Sequence, residues 1–441
     1  MAINILPFGF SDIPSLLILF IIGYVSHFYY RYFTRINPIP GPIPLPIVGN
    51  IHQKIGYSLG EWYKLLHKQY GDMFEVNYAG QRIVVLCRPE LLENMNTTST
   101  KTKYPIRFNN TEGLVEYGVS AVGVGHNNVP KSWKFNRQFF TQAMLTPSFN
   151  HQAIEWTYEL WKEMEIYWNK IGENQELDLG KWMHRFTNEI IFNIATGVKN
   201  NSVAAFYYTV VDPESIKTLD KTEQAKMEYS EEFVQSIETY MSGSASVFCF
   251  VVYFLEHHPE VKKRLRQELD EVFGNDSTKP ITFKELEELH YCDAVIKEVN
   301  RHSPVAFMIG RVSSESDNVG GCEWPKGSVF HMYFGSIMKN KNYWTDPEKF
   351  DPERFYKVEE SDKDKYLLEK KKLKNTYSMF GGGIRMCPGR KLAIIELKCL
   401  IACIYRSYDV DLVDYDAPIK YESGFINSCR ELKVKIKPRS F

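Results

Sequence analysis

The sequence lacks the features that define several common classes of protein. Its 441 residues include eight cysteines, and their scattered positions do not have the paired spacing of a zinc site or of a disulfide-rich secreted domain. Lysine and arginine (53) nearly balance aspartate and glutamate (54), so the overall charge predicts no nucleic-acid partner. No serine- and glycine-rich linker, internal repeat or low-complexity tract divides the chain. One large domain in a reducing compartment is therefore expected.

Long apolar runs are also scarce, and the clearest one lies near the N-terminus. From Ile13 to Phe33 no charge precedes Arg31, and the length matches the roughly 20 apolar residues that span a bilayer. Arg31 and Arg35 follow the run, whereas only Asp12 precedes it, so the positive-inside rule predicts a cytosolic domain. A cleaved signal peptide is the alternative, but a charged start is missing. We expect residues 1–36 to be a membrane anchor, with its helix at about 13–33, and flank.

The residues after the anchor change from apolar to proline-rich. Residues 37–50 hold five prolines at alternate positions, which predicts a stiff extended hinge, because proline lacks the N–H that a helix or a central strand requires. Farther on, alternation over residues 74–86 around Ala79-Gly80 predicts a hairpin. Helical spacing after Pro259 predicts a charged helix that ends at Gly274, and Thr282 with Glu285 predicts a capping box. The fold class expected is mainly α with small β-sheets.

The most informative segment is a glycine-rich loop that contains Cys387. Residues 380–389 read Phe-Gly-Gly-Gly-Ile-Arg-Met-Cys-Pro-Gly, and the glycines allow backbone angles that are closed to other residues. Apolar residues at helical spacing over residues 391–403 predict a helix directly after Pro388. The N-terminus of a helix favours a thiolate, because its dipole and free N–H groups stabilise negative charge. Such a thiolate can bind haem iron from the proximal side.

This loop resembles the haem-binding signature of the cytochrome P-450 family, Phe-x-x-Gly-x-Arg-x-Cys-x-Gly. All five fixed positions match, at Phe380, Gly383, Arg385, Cys387 and Gly389. A glycine loop before an ordinary helix is the alternative, and five matches at fixed spacing disfavour it. The resemblance implies that residues 51–441 form a haem-thiolate catalytic domain with haem b as cofactor. It also implies that Cys387 is the axial ligand of the iron.

Three other segments resemble motifs of the same family, in the same order along the chain. Trp133 and Arg137 are four residues apart on one helix face and resemble the pair that contacts a haem propionate. Glu298 and Arg301 resemble the family's Glu-x-x-Arg pair, whose side chains meet on one helix face. Arg354 resembles the arginine that joins that pair in a buried network, for which a rigid guanidinium fork is well suited. Taken singly, each pair is more often ordinary packing or a surface ion pair.

The middle of the chain departs from the family pattern. The family's central helix carries an acid and threonines that deliver protons over the distal face of the haem. Counting back from Phe248, the corresponding positions are Thr-Tyr-Met-Ser-Gly-Ser over residues 239–244. Ser242, Gly243 and Ser244 are therefore candidate catalytic residues of a degenerate distal patch, in which either serine could donate a proton through water. The alternative interpretation is a kink in a helix.

The chain between Arg137 and Glu298 is also shorter than the resemblance implies. The pattern predicts a helix over residues 231–255, with an amphipathic first half like that of a surface helix. A helix that crosses a domain of this size needs roughly 30 residues or more. We therefore expect a block just before Met241 to be missing, and with it part of the distal helical roof. The haem's distal side would then be more open to water.

Three functions remain as hypotheses. The first is a monooxygenase, anchored in the endoplasmic reticulum membrane with its catalytic domain on the cytosolic face, that inserts one atom of O2 into an apolar organic substrate. The resemblance implies electrons from an NADPH-cytochrome P-450 reductase, with cytochrome b5 as a further candidate partner. The second is a haem-binding relative with impaired or rearranging activity, because the distal acid and threonine are absent. The third is a non-functional truncated membrane protein.

Two surfaces complete these expectations. A basic docking face for the electron donor is expected from five residues on the thiolate side, namely Lys131, Lys134, Arg390, Lys391 and Lys398. The substrate pocket is expected over residues 108–124, 304–309 and 424–427 and in the shortened middle. Because these segments are mostly apolar or aromatic, they suggest a lipid-like or terpenoid substrate.

Overall fold

The computed structural model describes residues 13–107, 115–116, 118, 122–241, 243–274, 276, 279–356, 366–370, 374–423 and 426–439. The helices are α1 (Ile13–Phe33), α2 (Leu59–Tyr70), α3 (Pro130–Met144), α4 (Pro147–Ile171), α5 (Leu179–Thr196), α6 (Ser202–Phe206), α7 (Lys221–Met241), α8 (Gly243–His257), α9 (Pro259–Phe273), α10 (Phe283–Glu288), α11 (His290–His302), α12 (Phe334–Ile337), α13 (Leu367–Lys370) and α14 (Arg390–Ser407). The strands are β1 (Met73–Tyr78), β2 (Gln81–Leu86), β3 (Leu177–Asp178), β4 (Met308–Val312), β5 (Asp317–Val319), β6 (Cys322–Trp324), β7 (Val329–Tyr333), β8 (Tyr408–Leu412), β9 (Lys420–Ser423), β10 (Asn427–Glu431) and β11 (Lys433–Pro438). The predicted class, mainly α with small sheets, is confirmed.

Helix α1 contacts little of the rest of the chain. None of its residues is buried, and it is 21 residues long. Within the described part of the chain, it is the one helix that is long and apolar enough to cross a membrane. This agrees with the span predicted for an anchor.

The predicted hairpin is confirmed and belongs to the largest sheet. Strands β1 and β2 pair antiparallel, with Tyr78 opposite Gln81 and the turn at Ala79-Gly80. Both turn residues have positive φ, as a tight hairpin requires. Strand β2 then pairs parallel with β7, and β7 pairs antiparallel with β4, so the sheet order is β1-β2-β7-β4. Strand β4 is thereby placed at the sheet edge.

The largest core forms around helix α8. Its residues from Ala245 to Val252 are all buried, and an apolar composition on every face is typical of a helix inside a core. Helix α8 packs on α5, α11 and α14. The helix after Pro259 ends before Gly274, and the capping box of Thr282 and Glu285 is formed, as predicted.

The bounds predicted for the helix in the middle of the chain are wrong. Helix α7 begins at Lys221 rather than at residue 231, so the backbone just before Met241 is helical. Glu231 is buried rather than at the surface, where its carboxylate pairs with the Arg185 guanidinium of α5 at 2.5 Å. Val234 is buried and Glu232, Gln235 and Ser236 are exposed, so this part of α7 is amphipathic as predicted, and Glu231 lies on its buried side. Ser242, between α7 and α8, lies outside the described residues.

Candidate functional site

The loop that carries Cys387 is closed by a backbone hydrogen bond and pressed against a neighbouring segment. The Cys387 N–H donates to the Phe380 carbonyl at 2.9 Å. Gly383 has a φ of +66°, and a Cβ atom there would lie 2.7 Å from the Thr97 carbonyl oxygen. Both constraints require glycine. The half-buried Cys387 is thereby fixed just before Gly389, the residue that precedes the first turn of α14.

A cavity of about 580 Å³ lies beside Cys387. This volume is in the range of sites for small molecules and cofactors. Its wall combines the cysteine loop with α8, β4 and α14, and most of the lining is apolar. The lining residues include Phe380, Gly381, Arg385 and Cys387 of the loop, Gly243, Ser244 and Val247 of α8, Met308, Ile309, Gly310 and Arg311 of β4, and Ala393 and Leu397 of α14.

One side of the cavity is a cluster of arginines. The buried Arg385 guanidinium stacks on the Trp133 ring, 4.2 Å from its centroid, and donates to the Pro105 and Asn127 carbonyls at 2.6 Å each. Arg107 donates to the backbone carbonyl of Arg385 at 2.6 Å. These bonds leave Arg385 Nη1 and Trp133 Nε1 as buried donors without an acceptor among the described residues.

Arg311 extends this cluster from β4. Its side chain is buried and donates to the Gly310 carbonyl at 2.9 Å and to the Gly382 carbonyl at 3.2 Å, while Nε has no acceptor in the described part of the chain. Burial, with a smaller effect of neighbouring arginines, lowers the pKa of Arg311 to about 9 and that of Arg385 to about 10. Burial is also the main cause of the lowered pKa of Arg137 and Arg107.

The electrostatics of this wall favour an anionic ligand. Within the described ranges, no carboxylate lies within ion-pairing distance of Arg107, Arg137, Arg311 or Arg385. Buried charge that is not compensated is costly, and a bound anion would remove that cost. The cluster therefore indicates a site for negatively charged groups at the edge of the cavity.

Glu298, Arg301 and Arg354 meet in one buried network. Arg301 Nε lies 2.7 Å from Glu298 Oε2, and Arg354 Nε lies 3.1 Å from Glu298 Oε1. Arg354 also pairs with Glu369 at 2.7 Å. Arg301 donates to the backbone carbonyls of Met338, Pro347 and Lys349. The network ties α11 to the segments that follow β7.

The structure corrects the expected basic docking face. Lys131, Lys134 and Arg390 are exposed, but Lys398 is buried and its Nζ donates to the Leu286 carbonyl at 3.0 Å. The sequence does not show that this face of the predicted helix packs against α10, which contains Leu286. Two apolar side chains that the sequence analysis did not single out, Phe135 and Phe139 of α3, are each 72% exposed.

Other expectations are met only in part by the described residues. Val305, Ala306, Met308, Ile309 and Ile426 line the cavity, as predicted for segments 304–309 and 424–427. Residues 108–114, 117, 119–121, 424 and 425 lie outside the described part. The sequence analysis missed Arg107 and Arg311. An arginine inside the apolar strand Met308–Val312 is a signal that could have identified the latter.

Comparison with known proteins assigns the chain to a family. The model of the family described as Cytochrome P450 matches residues 39–212 and 214–437. The chain is therefore a member of the cytochrome P450 family. Members are haem-thiolate monooxygenases that carry haem b, so the protein belongs to the oxidoreductases.

The curated relatives agree over most of the chain. Cytochrome P450 3A15 of Cavia porcellus is 24% identical over 477 positions, which cover 89% of each chain. Cytochrome P450 3A13 of Mus musculus is 22% identical over 509 positions, covering 96% of this chain and 95% of the relative. Cytochrome P450 4V2 of Mus musculus is 31% identical over 268 positions, covering 57% of this chain and 48% of the relative. Because 509 positions exceed 441 residues, the second alignment contains gaps in this chain.

The residues present fit haem b. The cofactor needs a thiolate on one face and cationic or N–H donors for its two propionates. Cys387 and three arginines of the cluster, Arg107, Arg311 and Arg385, line the same cavity, whereas Arg137 and Trp133 do not line it. Arg385 Nη1 and Trp133 Nε1 are buried donors that still lack acceptors within the described residues. The two propionate carboxylates of haem would accept hydrogen bonds from these donors.

Proposed function

We propose that the protein is a membrane-anchored monooxygenase that oxidises an apolar small molecule with electrons from an NADPH-dependent reductase. The observation that supports this most directly is that the Cys387 thiol and three uncompensated arginines of the cluster line one largely apolar cavity. When bound, haem supplies the activation of O2 that places one oxygen atom in the substrate.

The proposed roles of the site residues follow from their positions. Cys387 binds the iron as a thiolate, which the N-terminus of α14 favours. The propionates are held by donors of the arginine cluster and by the indole N–H, contributed by Arg107, Trp133, Arg137, Arg311 and Arg385. Phe380, Gly383 and Gly389 shape the loop. Glu298, Arg301 and Arg354 do not line the cavity and act as a structural support.

The electron donor is proposed to dock on the exposed face of α3 and the start of α14. Lys131, Lys134 and Arg390 supply positive charge there, and Phe135 and Phe139 supply apolar area. This combination suits an acidic flavoprotein surface with an apolar centre. NADPH-cytochrome P450 reductase is the proposed donor, with cytochrome b5 as a second one. Helix α1 is proposed to hold the protein in the endoplasmic reticulum membrane, with residues 51–441 as the cytosolic catalytic domain after the hinge.

The substrate is proposed to be apolar and lipid-like. The cavity wall formed by Val247, Val305, Ala306, Ile309 and Ile426 offers only hydrocarbon surface. Such a wall binds by removing apolar area from water and does not orient a polar substrate.

The proposal is tested by binding of carbon monoxide to the reduced, haem-reconstituted protein. The absorption band of a thiolate-ligated iron is expected in the wild type and should be lost in Cys387→Ser. Cys322→Ser is the matched control, because Cys322 is also partly exposed but lies in β6, away from the cavity. If Cys387→Ser keeps the band, the assignment of the ligand is wrong. Product formation with a reductase then tests the activity.

A second candidate function is a haem protein with poor oxygenation. It is favoured by Gly243, which lines the cavity where the family places a threonine. A Cβ atom on Gly243 would meet no atom within 4 Å, so the cavity is open at this point. Gly243→Thr should raise the ratio of product to NADPH consumed if the missing hydroxyl limits the reaction. An equally high ratio in the wild type would exclude this candidate.

A further inference from the structure

A histidine lines the sheet side of the cavity, apart from the thiolate and the arginine cluster. His331 of β7 lies directly opposite Gly310 of β4, and both residues line the cavity. Opposite residues share one face of a sheet and successive residues alternate between faces, so Arg311 belongs to the other face. No charged side chain among the described residues contributes to the shifted pKa of His331. The imidazole is therefore separate from the donors that suit the haem propionates.

Gly310 leaves one edge of this imidazole open. A Cβ atom on Gly310 would lie 3.7 Å from Cδ2 and 3.8 Å from Nε2 of His331, so a larger side chain would cover this edge. The same Cβ atom would lie 2.8 Å from the Arg107 carbonyl oxygen, which disfavours any residue other than glycine. In the described part of the chain, Nε2 has no hydrogen-bond partner, and the side chain is only half-buried. Nε2 is thus the nitrogen available to a guest.

The other edge of the ring is fixed by Tyr63 of α2. The Tyr63 hydroxyl lies 2.8 Å from His331 Nδ1, and the Tyr63 side chain is completely buried. Helix α2 is itself held on the sheet, because the Tyr333 hydroxyl of β7 donates to the Gly60 carbonyl at 2.8 Å. The orientation of the imidazole is therefore set by the protein before any guest binds.

Burial determines where the protons of this pair lie. It raises the pKa of Tyr63 well above its ordinary value, so the phenol keeps its proton. Among the described residues, His331 Nδ1 is the one acceptor within hydrogen-bonding distance of that hydroxyl. Tyr63 therefore donates, and the imidazole carries its own proton on Nε2. Burial also lowers the pKa of His331 to about 4, so the ring is neutral near pH 7.

We propose that His331 selects substrates that carry an uncharged hydrogen-bond acceptor, such as a ketone or ether oxygen. Its Nε2–H group donates to that oxygen, while the apolar wall of the cavity binds the hydrocarbon part. An anionic group would instead be drawn to the arginine cluster, so the acceptor is neutral. Tyr63 is a positioning residue, because it holds the ring and the proton of His331. The selectivity rests on the proposed function, whereas the state of the Tyr63–His331 pair does not.

Two residues of similar character provide matched controls. His302 of α11 is also half-buried, and its pKa is lowered to about 4, mainly by burial, but it does not line the cavity. Tyr104 is a buried tyrosine that packs on Phe330 of β7, and its hydroxyl donates to Asp317 at 2.9 Å. His302→Phe is therefore the control for His331→Phe, and Tyr104→Phe is the control for Tyr63→Phe.

The first experiment is solid-state ¹⁵N NMR of the purified full-length protein labelled at its histidine nitrogens. The signals of His331 are identified by their loss in His331→Phe. They should show a neutral ring protonated at Nε2 between about pH 6 and pH 8. Tyr63→Phe should shift the Nδ1 signal or mix the two tautomers, whereas Tyr104→Phe should do neither. If the proton lies on Nδ1, or if Tyr63→Phe leaves the Nδ1 signal unchanged, the proposal fails.

The second experiment measures the binding of methyl nonyl ketone and of undecane to the haem-reconstituted protein, from the change in haem absorption. The two probes differ only in one carbonyl group. The ratio of the dissociation constant of the alkane to that of the ketone should fall about 3- to 10-fold in His331→Phe, as expected for one net hydrogen bond. His331→Gln keeps a side-chain N–H and should recover part of the loss. His302→Phe should leave the ratio unchanged.

The contrary outcomes are distinct. An unchanged ratio in His331→Phe would overturn the proposal, and a loss of haem with an unchanged ratio would assign the imidazole to the cofactor instead. An equal fall in His302→Phe would show that packing rather than the N–H donor is measured. Failure of both probes to bind would contradict the apolar substrate and the selectivity together. If the wild type gives no thiolate band with carbon monoxide, the proposed function fails, and the NMR result still decides whether Tyr63 sets the proton of His331.

Discussion

At the scale of single residues, the least expected feature is a buried cation without a countercharge. Arg311 is 1% exposed, and its bonds go only to backbone carbonyls within the described residues. Such a residue reduces the stability of the protein without ligand and favours the bound state. Its presence is explained if the site is completed by an anion.

Replacement of Arg311 should therefore separate stability from cofactor retention. In Arg311→Met, the free energy of unfolding of the apoprotein should be unchanged or up to about 2 kcal/mol higher, because an unpaired buried charge is removed. Haem should bind about tenfold more weakly or worse, since a charged partner of the propionates is lost. Denaturant unfolding and haem titration measure the two effects.

Arg354→Met is the control with the opposite expectation. It leaves the buried carboxylates of Glu298 and Glu369 without one of their partners, so the apoprotein should lose about 3 kcal/mol or more. If Arg311→Met destabilised the apoprotein as much as Arg354→Met, the arginine cluster would be structural and the argument for an anionic ligand would fail.

A second residue-scale prediction concerns Glu189. Burial raises the pKa of this carboxyl to about 7, above its ordinary value of 4.5. The unfolded state therefore loses its proton first, and the folded state is progressively disfavoured as pH rises from about 4.5 to 7. Glu189→Gln keeps an oxygen for the Val203 N–H and removes this effect. Relative to the wild type, it should gain about 2 kcal/mol between pH 5 and pH 7. Unfolding curves at both pH values test this, and a pH-independent difference would contradict it.

At the scale of elements, two glycines that are both fixed in the motif differ in how well the cysteine loop should tolerate an alanine in their place. Gly383→Ala should disrupt the loop and lower haem retention severalfold, because φ is +66° and the new Cβ atom would meet the Thr97 carbonyl oxygen. Gly389→Ala should be tolerated far better, since its nearest contact would be Cys387 Sγ at 4.0 Å and its φ is −81°. Equal losses in the two variants would show that the loop's conformation is not what requires Gly383.

Elements determined by neighbouring residues could be predicted from the sequence, and those determined by distant contacts could not. The hairpin at Ala79-Gly80 and the capping box at Thr282 depend on residues a few positions apart. The burial of Glu231 depends on Arg185, which lies in a different helix. Likewise, the motifs predicted Cys387, whereas Arg107 is recognised only when the fold brings it to the cavity.

At the scale of the whole molecule, the anchor and the domain are predicted to be separable. A chain that begins at residue 34 should remain in the supernatant after ultracentrifugation of membranes to a much greater extent, because it lacks the apolar helix α1. It should keep the carbon monoxide spectrum, since no residue of α1 lines the cavity beside Cys387. Loss of the spectrum would show that the helix is needed for the fold.

The position of the truncation should affect the melting temperature of the shortened protein. Glu75 of β1 is buried, accepts a hydrogen bond from Arg82 Nε of β2 at 2.8 Å, and forms an ion pair with Arg35 of the segment after α1 at 2.7 Å. A chain that begins at residue 37 loses one of these two partners, so it should unfold at a lower temperature than the chain that begins at residue 34. Equal melting temperatures would mean that Arg82 alone satisfies the carboxylate.

The shared carboxylate of Glu75 also has a mechanical consequence. It joins the segment after α1 to β1, and β1 belongs to the same sheet as β7, whose His331 lines the cavity. A displacement of α1 is therefore expected to reach the sheet side of the cavity through Arg35 and Glu75.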